Sequence, residues 1–207
     1  MIEKKITIID YGIGNILSNV NAIKKFGIDP VVSSDHEEIK NSDAIILPGV
    51  GSFEAGMNNL QKNKLTEVIK IFAETGKPIL GICLGMQLLF TYSEEGGLNK
   101  GLNIIPGEVK KFKEQEGLKI PTIEWKNLTF SKSDKLITGL HDKNEFYFVH
   151  SYFCTPSNPD NILAKAKFGD FEYCAIANKN NIYGCQFHPE KSRSEGLQII
   201  ENFIKII

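Results

Sequence analysis

The sequence predicts an α/β fold: three layers, with helices on both faces of a mixed, mostly parallel central sheet, and a nucleophile elbow at the sheet's edge. Three observations lead there. Short apolar runs alternate with amphipathic helical stripes through residues 1–90, the pattern of parallel strands covered on both sides. Residues 78–90 pass from an apolar strand straight into a helical pattern through Cys83. The later part of the chain adds aromatic-rich strands joined by Gly169-Asp170 and Lys179-Asn180-Asn181 turns, which read as antiparallel pairs.

In chain order, residues 5–9 form a first strand, followed by the glycine-rich loop Asp10-Tyr11-Gly12-Ile13-Gly14-Asn15. Ile16, Val20 and Ile23 then mark a helix that Gly27 ends. The loop lacks the third glycine of a dinucleotide fingerprint, which argues against a nicotinamide cofactor. Residues 31–33 and 44–47 are further strands, the second running into Pro48-Gly49-Val50-Gly51. That loop is either an ordinary turn or a place where backbone N–H groups approach a ligand. Leu65, Val68, Ile69 and Phe72 give another helix, stopped by Gly76 and Pro78. Prolines, glycines and charges break up residues 101–130, leaving room for short strands only. The aromatic run 145–153 and residues 162–168, 171–178 and 182–187 read as strands. Leu197, Ile200, Ile204 and Ile207 define a closing helix.

A length of 207 residues with 42% hydrophobic side chains suits one well-buried domain spanning residues 1–207. The formal net charge of −1 and the absence of a basic run argue against nucleic acid. No apolar run is long enough to span a membrane, and Met1-Ile2-Glu3-Lys4-Lys5 leads directly toward the first strand, so a cytoplasmic protein is expected. Cys83, Cys154, Cys174 and Cys185 are too scattered for a disulfide framework, which fits a reducing compartment. No zinc-ligand spacing is present, and neither a metal nor a cofactor is expected.

Cys83 stands on the strand-to-helix elbow with Gly81 and Gly85 two residues to either side, where larger side chains would crowd a tight turn. Free N–H groups at the start of the helix favour thiolate there. Near the other end of the chain lies His188-Pro189-Glu190. In extended backbone His188 and Glu190 project to the same side, so the carboxylate can orient the imidazole. A cysteine elbow together with His-x-Glu supplies nucleophile, base and orienting acid. His150 has no such carboxylate and reads as a wall or core residue. Cys154, Cys174 and Cys185 read as packing, and Glu95 as either a solvated loop carboxylate or a group facing a small polar ligand. Trp125, the only tryptophan, is a packing residue by default and a partner-facing one in the sharper reading.

With Gly81-Ile82-Cys83-Leu84-Gly85-Met86-Gln87 and His188-Pro189-Glu190 in hand, the chain resembles the class I, triad-type glutamine amidotransferases over nearly its whole length. Asp10–Asn15, Pro48–Gly51, Tyr147-Phe148-Val149-His150-Ser151-Tyr152 and Gln186–Ser192 make it most similar to the branch that serves as glutaminase of imidazole glycerol phosphate synthase. The resemblance implies the class I amidotransferase fold and hydrolysis of glutamine by Cys83, His188 and Glu190. It further implies an oxyanion site from Leu84, Val50 and Gly51, and glutamine contacts from Gly49, Gln87, Glu95, Ser151 and Tyr152. It also implies a heterodimer with a (β/α)8-barrel cyclase, met by Asn15 and Trp125, which uses the ammonia to make imidazole glycerol phosphate and AICAR in histidine biosynthesis. Thr122, Glu124 and Lys126 depart from that branch's motif, where a basic residue, a glycine and an asparagine are usual. The departure keeps two further readings open: a paralogue supplying ammonia to a surface-sugar amidotransferase, and a non-catalytic regulatory partner.

Overall fold

The computed structural model describes residues 4–207, so the expectation for Met1–Glu3 lies outside the described residues. Strands β1 (Ile6–Ile9), β2 (Val31–Ser33), β3 (Ala44–Leu47) and β4 (Ile79–Ile82) alternate with helices α1 (Ile16–Lys24), α2 (His36–Lys40), α3 (Phe53–Lys62), α4 (Leu65–Glu74) and α5 (Leu84–Leu88). Short strands β5 (Tyr92–Ser93), β6 (Asn99–Lys100), β7 (Gly107–Lys111), β8 (Thr122–Asn127) and β9 (Thr129–Phe130) follow. The chain closes with β10 (Glu145–His150), β11 (Tyr152–Pro156), β12 (Ile162–Phe168), β13 (Phe171–Lys179), β14 (Ile182–Cys185) and α6 (Arg193–Ile206).

The main sheet runs β2-β1-β3-β4-β14-β13-β11-β7-β5-β6, with β12 on β13 and β9 on β12. From β2 to β14 every pairing is parallel; β13 then pairs antiparallel with β14 and β11, and further along β5 lies parallel to β7. Within the parallel half, successive residues feed opposite faces. Ala44 and Ile46 pack with Ala22, Ile23, Ile199 and Phe203 of α1 and α6, whereas Ile45 and Leu47 pack with Leu60, Leu65 and Phe72 of α3 and α4. This period-2 division between two apolar layers makes the three-layer architecture. Each such fully buried aliphatic or aromatic side chain contributes roughly 1.5–3 kcal/mol.

Two elements differ from the sequence expectation. The aromatic run 145–153 is two strands that part at Ser151: β10 pairs with β8 in a separate two-stranded ribbon, while β11 joins the main sheet between β13 and β7. Residues 53–62, left without an element of their own, form α3. Its Phe53, Met57 and Leu60 are buried on one side, and the Ser52 side chain accepts from Ala55 N–H as a cap.

Because β1, β3, β4 and β14 are parallel neighbours, the loops leaving their carboxyl ends meet along one edge of the sheet. Residues 10–15, 48–51, Cys83 and 186–190 are thereby gathered, as expected for a ligand site in a parallel α/β sheet.

Candidate active site

Cys83 has φ +53° and ψ −110°, a backbone conformation that L-residues seldom adopt. Its N–H donates to the Cys185 carbonyl at 2.8 Å, which ties the elbow to β14. The flanking glycines are there because backbone occupies their side-chain space. A Cβ on Gly81 would lie 2.8 Å from both Gly85 O and Met86 N, and one on Gly85 would overlap the Leu47 carbonyl. Helix α5 is a five-residue turn, so any electrostatic help it gives Cys83 is local, from the N–H groups of its first turn.

His188 is buried, and its backbone is tied to Tyr147 and Ser192. Its N–H donates to Tyr147 O at 3.0 Å, its carbonyl accepts from Ser192 Oγ at 2.6 Å, and Ser192 Oγ accepts from Tyr147 N–H at 2.9 Å. On the ring, Nδ1 meets Glu190 Oε1 at 2.8 Å. The sequence implies an extended segment there, and the structure differs. Pro189–Lys191 is a turn of 3-10 helix, and proline suits its first position, so Glu190 reaches back to the ring across the turn. Nε2 has no hydrogen-bond partner among the described residues, and the Cys83 sulfur lies near enough to act on the ring's charge. Burial pulls the pKa of His188 down, but the interactions and charges of Cys83 and Glu190 outweigh it and raise the pKa to about 10.

The Cys83 sulfur opens on a pocket of about 340 Å³. Val50, Gly51 and Leu84, the residues expected at the oxyanion, line it, as do Gln87, Glu95, Ser151 and Tyr152, expected to hold glutamine, with His150 and His188 completing the wall. Gly49 lies behind, its missing Cβ filled by Tyr11 Oη at 2.6 Å and Leu84 Cβ at 2.8 Å. Glu95 Oε2 accepts the Phe53 N–H at 2.7 Å, so one carboxylate oxygen caps α3 while the residue borders the pocket. The carbonyls of Ser151 and Tyr152 already accept from Phe112 N–H and Gln87 Nε2. A larger groove of about 660 Å³ runs along Lys110, Lys113 and Phe153, but it brings no nucleophile and base together.

Asn15 and Trp125 lie outside the pocket. Asn15 caps α1 through its side chain, and Trp125 is 36% exposed with the Arg193 guanidinium 4.3 Å from its ring centre. Residues 122, 124 and 126 share one face of β8. Glu124 accepts from Lys126 Nζ at 2.9 Å and from Thr122 Oγ1 at 3.3 Å, while Lys126 also reaches Lys167 O. The charge that Glu124 adds is therefore matched within its own strand. Ile123 and Trp125 point to the other face and stay exposed.

Three residues not singled out from the sequence also serve the site. Tyr11 Oη donates to Pro48 O at 2.7 Å and so fixes the start of the 48–51 loop. Ser192 holds His188, as described above, and Gln186 lies against Cys83. Their signal was partial: each sits inside a stretch that read as functional, but nothing in the one-dimensional pattern says which way they face.

His150 is buried and neutral. Burial pushes its pKa down to about 3, opposed by its bond to Tyr152 O and aided by the charge of Lys126. Nδ1–H donates to Tyr152 O at 2.8 Å, so Nε2 is the acceptor for Tyr173 Oη at 3.3 Å. Between pH 6.5 and 3 the unfolded chain binds a proton that folded His150 excludes, so its contribution to stability is present above 6.5 and falls with pH. Urea unfolding at pH 7 and 4.5 is expected to show a drop on the order of 2 kcal/mol in the native chain beyond that of His150→Gln. Equal drops would sink this assignment.

The family description "Glutamine amidotransferase class-I" matches residues 7–207. The fold agrees with solved structures: PurLQS from Thermotoga maritima superposes with a TM-score of 0.74 at 20% identity, covering 99% of both chains. A structure described as glutamine amidotransferase gives 0.73 at 17% identity, covering 97% of each chain. With its cysteine elbow and His-Glu pair at the edge of a parallel sheet, the chain belongs to the class-I glutamine amidotransferases. Imidazole glycerol phosphate synthase subunit HisH of Lactococcus lactis subsp. lactis is 46% identical, over 99% of this chain and 100% of its own length. The subunit HisH of Caldanaerobacter subterraneus subsp. tengcongensis is also 46% identical, over 98% of each. Within its class the chain belongs to the HisH family.

Proposed function

We infer that the protein is the glutaminase subunit of imidazole glycerol phosphate synthase, and that Cys83, His188 and Glu190 are its catalytic residues. The observation that supports the assignment of these three is their convergence, with Glu190 bonded to Nδ1 of His188 and with Cys83 and His188 lining one pocket. At neutral pH His188 is an imidazolium whose Nε2–H faces the sulfur. Sγ attacks the side-chain carboxamide carbon of glutamine, and the carbonyl electrons move onto oxygen. Leu84 N–H and the 50–51 peptide groups stabilise that oxyanion, a role supported by the place of these residues in the lining of the pocket beside Cys83. Collapse of the tetrahedral adduct breaks the C–N bond as Nε2 gives its proton to nitrogen, releasing ammonia and leaving a thioester.

Acylation removes the sulfur's charge, one of the causes that hold His188 protonated. The neutral imidazole then takes a proton from water as the water attacks the thioester, and glutamate leaves with Sγ restored. Glu190 holds the ring on the Nδ1 side throughout.

The ammonia passes to a cytoplasmic (β/α)8-barrel cyclase, which uses it with phosphoribulosyl-formimino-AICAR phosphate to make imidazole glycerol phosphate and AICAR. Exposed Ile123 and Trp125 on the outer face of the β8–β10 ribbon, with Asn15 at the start of α1, suit the docking of such a partner. The test mixes the full chain with a barrel cyclase from the same cell. Formation of a complex and glutamine-dependent imidazole glycerol phosphate are expected. A cyclase that works with free ammonia but neither binds this chain nor gains activity from glutamine with it would overturn the partner assignment.

A further inference from the structure

We propose that Gln186 is a further catalytic residue, its side-chain N–H holding the Cys83 sulfur as thiolate. The inference rests on the glutaminase reading and deepens it. Gln186 is fully buried and follows β14 directly, with its N–H fixed on Ala175 O at 2.9 Å. The chain bends at Gln186 and Phe187 after β14, and Gln186 and His188 both come to the elbow, one beside the sulfur and one in the same pocket wall. Gln186 Nε2 lies 3.9 Å from Cys83 Sγ, within reach of a hydrogen bond to sulfur.

The direction of that contact follows from the hydrogen-bond chain behind it. The Tyr152 carbonyl can only accept, so the group Gln87 presents to it at 3.0 Å is the NH2. The same NH2 meets Gln186 at 3.1 Å, and the atom there must be Gln186 Oε1. The end of Gln186 left for the sulfur is therefore its NH2, and a turned amide would set two donors face to face. A thiol has no need of a donor, whereas a thiolate does. An N–H aimed at sulfur in a buried site thus favours the reactive form, where an unpaired charge would be costly. His150, donating to the same Tyr152 carbonyl at 2.8 Å, holds the far end of the chain in place.

The test is the pH profile of Cys83 alkylation by iodoacetamide, read by mass spectrometry on the full chain, for the native protein, Gln186→Glu and Gln186→Met. Gln186→Glu keeps the acceptor for Gln87 but turns an anionic oxygen toward sulfur. Its alkylation midpoint is expected to rise by about one pH unit, with about 10-fold slower reaction at pH 7. Its kcat is expected to fall by at least about 10-fold while KM stays within about 3-fold, the pattern of a lost transition-state interaction. Gln186→Met removes the donor without adding charge and should slow alkylation by about 3-fold or more, which keeps the proposal testable if the glutamate variant does not fold. Unchanged alkylation profiles overturn it, and a rise in KM alone would reduce Gln186 to a strut for Gln87. A native protein whose Cys83 is alkylated but which releases no glutamate would instead bring down the glutaminase reading.

Discussion

Replacing Cys83 with alanine is expected to lower glutamate release by about 10⁴-fold or more, since loss of the nucleophile leaves only the oxyanion donors and binding to act on the amide. The fold should survive, because the sulfur is not what shapes the elbow. Its φ of +53° is imposed by the Cys83 N–H bond to Cys185 O and by the close packing of Gly81 and Gly85. A glycine at position 83 adopts that conformation without strain, so Cys83→Gly should be equally inactive yet more stable than Cys83→Ala by on the order of 1 kcal/mol. Glutaminase rate and urea midpoint, measured on both variants, separate chemistry from geometry. Residual activity within 100-fold of the native rate in either variant would move the nucleophile elsewhere. Among the described residues, Cys154, Cys174 and Cys185 are poor substitutes, since each is buried and burial raises its thiol pKa.

The parallel half was legible because β1, β3 and β4 are buried on both faces and read as short, mainly apolar runs, punctuated by glycine where the chain turns. The elbow was legible for a related reason: only a tight, close-packed turn calls for small residues on both sides of a cysteine. What stayed hidden depends on partners distant in sequence. Residues 145–153 carry one continuous strand signal, and only the competing pairings of β8 and β7 part it at Ser151. Gln186 and Ser192 look like ordinary polar residues until the fold shows both to be fully buried, one against sulfur and one holding His188. The His188–Glu190 contact was expected by way of an extended chain and is made by a 3-10 turn, because both conformations accept the proline between them. Helix α3 carries its own signal in Ser52 and the Phe53, Met57, Leu60 spacing, but Gly56, Asn58 and Asn59 weaken it. The departures at 122, 124 and 126 likewise look like added charge in one dimension and become a matched row once β8 is formed.

The largest stability effect is expected at Gly85, where helix propensity and packing give opposite signs. Gly85 lies inside α5, and alanine there gains about 1 kcal/mol from propensity alone. Against that, the new Cβ would overlap the Leu47 carbonyl oxygen and lie 2.7 Å from its carbon and 3.3 Å from Pro48 C. All three are backbone atoms at the end of β3, and none can rotate away as a side chain would. Relief requires α5 to lift from β3 or the 48–51 loop to move, opening the apolar layer in which Leu84, Met86 and Leu88 pack. A loss of about 3–5 kcal/mol is expected, well beyond an ordinary surface change. Urea unfolding measures it directly, and a variant that stays folded should release glutamate slowly, because Leu84 N–H and the Pro48–Gly51 backbone are the groups displaced. A Gly85→Ala protein as stable as the native one would mean that α5 does not rest on β3 as described. In that case the account of the oxyanion side would fall with it, since Leu84 is held in place by that same contact.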